Sequence, residues 1–149
     1  MPKLIPIAQS RQAGSALVEM ALIMPILALM VFSVIQYGWL MMSMNMLTSA
    51  TSAGVQVFSS ERGYSTPYSD TVSQIRAAAP TLSSSDLTVN ILVDGVACAT
   101  DDGCALAISA AQGKAATISL SYKYTPIITE VISMGLPSVL NVSMTGRIQ

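Results

Sequence analysis

The pattern of apolar and polar positions divides the chain into two parts. No charged side chain occurs between Glu19 and Glu61, and the apolar run from about Met20 to Leu47 exceeds the roughly 20 residues that a helix needs to cross a bilayer. In the second half of this region an apolar stripe recurs at helical spacing: Leu40, Met44, Leu47, Thr51, Gly54 and Phe58. The stripe predicts that the helix continues to about Ser60 and packs against the chain's own domain, with neighbouring helices as a further contact.

A change of period marks the second part. Residues 61–67 contain Gly and Pro and predict a helix stop followed by a loop, and residues 68–79 predict a short helix. Apolar and polar positions alternate in three later segments, which predicts strands at residues 87–93, 117–124 and 139–148. Turn signals fall at residues 83–86 and 94–95. The segment Ile127 to Met134 predicts either a short helix or an apolar loop.

The distribution of charge predicts the orientation of the helix in the membrane. Only 10% of the 149 residues are charged and the mean hydropathy is +0.57, which is more apolar than a typical soluble domain. The segment up to Gly14 carries Lys3 and Arg11 and no acid, whereas the rest of the chain holds five bases and eight acids. Because basic flanks stay on the cytoplasmic side, the residues after the span are expected to face the periplasm.

These observations predict an α+β protein, with a long N-terminal transmembrane helix followed by a small antiparallel-sheet periplasmic domain. The expected divisions are a cytoplasmic leader (1–14), a long hydrophobic helix (15–60, its membrane part about 20–47) and a periplasmic α+β domain (61–149). A cleaved secretory signal fits poorly, because the apolar run is too long and lacks a small-residue cleavage site. A plain signal anchor explains everything except Gly14 and Glu19.

Glu19 is the residue with the most unusual setting. An ionised carboxylate in hydrocarbon costs several kcal/mol or more, so an acid just inside a membrane helix is a functional hypothesis by default. A nearby positive charge offsets that cost. Cutting the Gly14-Ser15 bond would create one, as a free α-amino group four residues before the acid.

Gly14 followed by Glu19 in a hydrophobic helix resembles the signal of type IV prepilins, which a membrane peptidase cuts after the glycine. The continuation resembles the TadE-like minor pilins of tight-adherence (Flp) pili. Classical pilins and pseudopilins usually carry Phe after the cut, where this chain has Ser15, and this difference favours the TadE-like resemblance. Further similar segments are distributed along nearly the whole chain: residues 15–22 with Pro25, 45–50, 55–63, 121–126 and 140–147.

The resemblance implies a minor pilin that a prepilin peptidase processes and that packs through its helix to initiate, cap or regulate a pilus. Its expected partners are the peptidase, other pilins, the inner-membrane assembly platform and membrane lipid. Its expected location is the bacterial inner membrane, in a single pass, and also the extracellular pilus if the protein enters the fibre. Glu19 would neutralise a terminal amine during assembly. A membrane-anchored periplasmic binding or structural module outside any pilus is the alternative.

Three further features complete the site predictions. Cys98 and Cys104 are most simply a disulfide in a periplasmic domain, and the sequence between them predicts a turn at a hairpin tip. A metal site or a redox motif has less support, because further ligands and the CxxC spacing are missing. Pro25 removes a backbone donor and predicts a helix kink.

The composition favours neither catalysis nor nucleic-acid binding. The chain contains no His, which is the commonest general base and metal ligand. No Gly-x-Ser-x-Gly elbow or phosphate-binding glycine loop occurs, and no basic patch is present. We therefore expect no enzyme activity, no cofactor, no metal and no nucleic-acid partner. A secreted enzyme is a distant third interpretation.

Overall fold

The computed structural model describes residues 10–125 and 137–149, and side chains from Gly14 onward. Three helices and four strands follow one another along the chain: α1 (Ser10–Ser60), α2 (Pro67–Ala78), β1 (Leu87–Val93), β2 (Val96–Cys98), α3 (Asp101–Ala110), β3 (Ala115–Lys123) and β4 (Val139–Arg147). They divide into two compact units, the first ending at Gly38 and the second running from Trp39 to Gln149. The expected α+β fold class is confirmed.

The first unit is the N-terminal part of α1. Its large apolar side chains are exposed, for example Leu17 at 71% and Val34 at 73%. The helix runs without interruption through Pro25. The Ser33 hydroxyl donates to the Leu29 carbonyl one turn earlier at 2.7 Å, so this polar side chain is satisfied by its own helix.

The second unit is built on a four-stranded antiparallel sheet in the order β2-β1-β3-β4. β3 is central and pairs with β4 in an unbroken register from Ala115↔Arg147 to Lys123↔Val139. Because side chains alternate along each strand, one face is apolar and buried, whereas the other is rich in Ser, Thr and Asn. On the polar face, the Thr117 and Thr145 hydroxyls lie 2.9 Å apart.

The second half of α1 and the helix α2 cover the apolar face of the sheet. Fully buried side chains of α1, α2, β1 and β3 include Leu47, Phe58, Ile75, Ile91, Ile118 and Leu120. Two glycines allow the close approach of α1. Gly54 lies against Ile75 and Ile118, and Gly146 of β4 lies against Val55 and Ser59. The C-terminus joins the same contact, because the Gln149 amide donates to the Ser59 carbonyl at 3.2 Å.

Gly54→Val is expected to destabilise the second unit by about 1–3 kcal/mol, because the added side chain overpacks a filled site. A Cβ at this position would lie 2.6 Å from Cγ1 and 2.7 Å from Cδ1 of Ile75. Urea unfolding of the full chain in detergent measures the loss. The matched control is Gly38→Val, which makes the same change in α1 where no heavy atom lies within 4 Å. Equal stability of the two variants would contradict the packing described here.

Two sequence expectations need correction. The turn predicted between the cysteines is the first turn of α3, since residues Asp101–Ala110 are helical and Thr100 is the N-cap. The sheet also has four strands rather than the three predicted, because β2 is only three residues long and too short to show alternation. The segment Ile127 to Met134 lies outside the described residues. The predicted short helix and the three predicted strands are confirmed as α2, β1, β3 and β4.

Candidate membrane-embedded assembly site

The candidate site lies near the N-terminal end of α1. Gly14, Ser15 and Glu19 are all exposed and all helical. Residues four apart lie on the same face of a helix, with Cβ atoms about 5–6 Å apart, so Glu19 lies one turn beyond Ser15 on the same face. Glu19 therefore lies one helical turn beyond the Gly14-Ser15 peptide bond.

Glu19 lies in a candidate membrane span. The segment Gly14–Ser60 is long and apolar enough to cross a bilayer, and its most apolar stretch is not buried within the described protein. Within the described residues, the ion pair is between Lys114 and Asp94, in the second unit. Among the residues whose side chains the structure describes, no cation pairs with Glu19.

Pro25 lies inside the same helix, six positions after Glu19. Its ring removes the backbone donor of one helical hydrogen bond and conflicts with the carbonyl four residues earlier. α1 nevertheless continues as one helix to Ser60. The kink at Pro25 stays a prediction.

The cysteines belong to the second unit and form a separate feature. Cys98 ends β2 and Cys104 lies in the first turn of α3, and their sulfurs are bonded with the Cα atoms 5.2 Å apart. Both side chains are buried. The Thr100 hydroxyl accepts a hydrogen bond from the Gly103 amide at 3.2 Å and caps α3. The disulfide and the cap together fix α3 to the end of the sheet.

Asp101 connects the N-terminal ends of α2 and α3. Its carboxylate accepts hydrogen bonds from the Ser69 amide at 2.8 Å and from the Ser69 hydroxyl at 2.6 Å. These bonds favour the charged form, so they hold the pKa of Asp101 below its ordinary value. The carboxylate also lies where the dipoles of both helices favour a negative charge.

Asp101→Asn is expected to lower the melting temperature of the full chain at neutral pH. Because the folded-state pKa of Asp101 is lowered, its contribution is complete above the unfolded pKa of about 3.9 and is lost as pH falls through the folded pKa. The difference between parent and variant should therefore disappear in strong acid. Asp102→Asn is the matched control, since Asp102 shares the first turn of α3 but makes none of the described bonds to Ser69. A difference that persists unchanged in acid would contradict this role.

Other titratable groups show burial without a reactive arrangement. Burial and the charge of Asp70 raise the pKa of Glu61, which follows α1 directly. Burial raises the pKa of Tyr124, and the charge of Tyr122 raises it further. Among the described residues, no group of three or more His, Cys, Asp or Glu side chains is placed to hold a metal ion.

Of the residues singled out from the sequence, the structure brings two pairs together. Ser15 and Glu19 share one helical face, and Cys98 bonds to Cys104. Sequence reasoning missed the link between Asp101 and Ser69, which are 32 positions apart. An Asp at the start of a helix is the available signal, but the sequence pattern at Asp101 predicts a turn rather than the helix α3.

The described residues form a helix that is long and apolar enough to span a membrane, followed by a small α+β domain with an antiparallel sheet, an architecture that fits a membrane-anchored, pilin-like protein. Among known families, the model described as TadE-like protein matches residues 14–56. Over this segment the chain is similar to TadE-like proteins, and the resemblance inferred from its residues is confirmed there. The match begins at Gly14 and ends within α1, so the sheet lies outside it. No curated protein and no solved structure matches the chain.

The match to the TadE-like family suggests an involvement in Tad pilus systems. The helix that could anchor the chain in a membrane is the same segment that carries the match.

Proposed function

We propose that this protein is a minor pilin or pseudopilin of a tight-adherence pilus system. A prepilin peptidase cuts it between Gly14 and Ser15, and it then packs through α1 with other pilins to initiate, cap or regulate the fibre. The observation that carries the proposal is the setting of Glu19. It is an exposed carboxylate with no further charged residue after it until Glu61, and it lies one helical turn beyond Ser15, within the TadE-like segment.

Cleavage supplies the charge that Glu19 needs. The new α-amino group of Ser15 is protonated near neutral pH, since such groups have a pKa of about 7.7–8.0. An unpaired charge of either sign in lipid is expensive, whereas a pair between the carboxylate and an amine loses much of that cost. The pair forms within one chain or between the amine of one pilin and the carboxylate of the next. In the second case it fixes the register of neighbouring helices.

The leader gives the orientation required for this reaction. Lys3 and Arg11 precede the apolar segment and hold the N-terminus on the cytoplasmic side. The second unit is then periplasmic, where a disulfide such as Cys98–Cys104 persists. Before assembly, lipid surrounds the exposed apolar side chains of α1. Afterwards, the helices of neighbouring pilins replace it.

N-terminal sequencing of the protein from cells that form pili tests the proposal. We expect the mature chain to begin at Ser15. Gly14→Val should leave the leader attached, and it should not disturb folding because no side chain contacts this position. Gly38→Val makes the same change in an equally open part of α1 and should be cut normally. Recovery of chains that still begin at Met1 or Pro2 from piliated cells would favour a permanent anchor that carries a periplasmic binding module.

A further inference from the structure

The outward side of α1 changes from apolar to polar along the helix. From Gly14 to Ile35 no side chain is buried, and the large ones other than Glu19 are apolar. Met42 is the last large apolar side chain of α1 that is exposed. The residues exposed after it are polar: Asn45, Thr48, Ser49, Gln56 and Ser60. Because exposed apolar side chains favour lipid and exposed polar ones favour water, this change predicts where water begins.

Some of the apolar residues that follow Trp39 belong to the core of the second unit. Leu40 and Leu47 are both buried there. A side chain that packs within its own domain does not contact lipid. The apolar run that ends at Leu47 is therefore longer than the part of α1 that lipid can surround, and hydropathy alone does not make this distinction.

Two aromatic residues lie just before the change from apolar to polar. Tyr37 is 59% exposed and Trp39 is 43% exposed. Each ring combines a large apolar surface with one hydrogen-bonding group, so Tyr and Trp are enriched where acyl chains meet head groups and water. Fully aqueous surroundings would leave much of this apolar area in contact with water, at a cost in free energy. The exposure of both rings therefore favours a membrane interface as their surroundings.

The length of helix between Glu19 and Tyr37 matches the thickness of a bilayer core. Tyr37 follows Glu19 by 18 positions, which corresponds to about 27 Å along a helix. The hydrocarbon core is about 30 Å thick, and roughly 17–25 residues cross it. Residues 20–36 carry no charge and reach the lower end of this range. A core boundary at Tyr37 leaves Glu19 at the opposite boundary, whereas a span from Met20 to Leu47 would be about 40 Å long and exceed the core.

We infer that Tyr37 and Trp39 anchor α1 at a membrane–water interface, where their rings contact the ester and head-group region of phospholipids. The span that lipid surrounds is then residues 20–36, which is shorter than the 20–47 expected from hydropathy, and Asn45 lies in water. The inference rests on the membrane anchor in the proposed function but requires neither leader cleavage nor a role for Glu19. Failure of the N-terminal sequencing test and failure of this interface are therefore distinguishable.

Depth-dependent fluorescence quenching of the full chain in phosphatidylcholine vesicles tests the interface. Trp39 is the one Trp of the sequence, so the emission reports a single position. One set of vesicles carries bromine on the acyl chains close to the head group, and a second set carries it near the bilayer centre. We expect the shallow bromine to quench Trp39 more strongly than the deep bromine does.

A double variant supplies the matched control for depth. Trp39→Phe combined with Phe32→Trp moves the fluorophore seven positions, about 10 Å along the helix, to another exposed site within the inferred span. Its emission should be quenched more strongly by the deep bromine. Stronger quenching of Trp39 by the deep bromine, or no quenching of Trp39 where position 32 is quenched, would overturn the inference. Absence of quenching at both positions would contradict the anchor and the inference with it.

Labelling with a membrane-impermeant maleimide separates the short span from the long one. Asn45→Cys and Ile35→Cys both place a thiol at an exposed site, and Ser143→Cys on β4 gives the rate for a thiol in water. The native cysteines are bonded to each other and do not react. We expect Asn45→Cys to react as Ser143→Cys does and Ile35→Cys at least about tenfold more slowly, because each unit by which lipid raises a thiol pKa lowers the thiolate fraction about tenfold. Protection of Asn45→Cys, or equal rates at positions 35 and 45, would contradict the inferred boundary.

Discussion

Glu19→Ala is expected to abolish incorporation into pili while leaving the second unit folded. The side chain is exposed on α1 and makes no hydrogen bond or ion pair with the other described residues, so its removal takes nothing from the core. What it removes is the carboxylate that would meet the amine of a cut chain. An ammonium group without a partner in lipid costs several kcal/mol, and each factor of ten in assembly corresponds to about 1.4 kcal/mol. Immunoblots of sheared pili and of membranes measure the loss.

Two controls separate charge from shape in this experiment. Glu19→Gln keeps the size and loses the charge, so it should fail as Glu19→Ala does, whereas Glu19→Asp should retain partial assembly. Glu61→Ala removes the next charged residue along the chain. Because this residue lies beyond the end of α1, the variant should assemble normally. Normal piliation by Glu19→Ala would remove the role proposed for this acid.

Loss of the Cys98–Cys104 bond should lower the free energy of unfolding by about 2 kcal/mol or more. The bond closes a short loop, with a sequence separation of six, and short loops give the smaller entropic gains. Its position adds to the effect, because it ties α3 to β2 and both sulfurs are buried in the core. Reduction of the bond therefore releases a helix as well as a loop. Thermal unfolding of the full chain in detergent, with and without reductant, measures the change.

The double variant Cys98→Ala with Cys104→Ala removes the disulfide bond without placing new polar atoms in the core, so it measures the effect of the bond alone. Alanine introduces no hydroxyl into an apolar site, whereas the paired serine variant adds the cost of burying two polar groups. The alanine pair should match the reduced parent, and the serine pair should be less stable than either. A melting temperature that does not respond to reductant would show that the sheet holds α3 without the bond.

The sequence predicted the elements whose pattern is both long and regular. The apolar–polar alternation from Leu87 to Val93 is long enough to identify a strand. The charge-free run beyond Glu19 is long enough to identify a helix of membrane length, and both elements are present in the structure. α3 was missed because Asp101, Asp102 and Gly103 are as typical of a turn as of a helix start. The Thr100 cap and the fixed position of Cys104 decide between the two, and these depend on the folded chain.

The candidate site shows the same division. The position of Glu19 relative to Ser15 depends only on helix periodicity, so the sequence was sufficient to predict it. The approach of Asp101 to Ser69 depends on how α2 and α3 meet, and no local pattern encodes it. The position of β4 at the edge of the sheet likewise follows from strand order. The alternation of apolar and polar residues identifies strands but does not show their order.

Ser33, Ser43 and Thr51 each donate to the carbonyl four residues earlier in α1, at 2.7, 3.0 and 2.7 Å. Of these three, Ser33 alone lies in the first unit, and its hydroxyl hydrogen is occupied whether the neighbouring molecules are fatty acyl chains or other helices. A side chain that bonds to its own helix can exchange one apolar environment for another without first finding a new acceptor. In the proposed transfer from bilayer to fibre, Ser33 would therefore need no new hydrogen-bond partner.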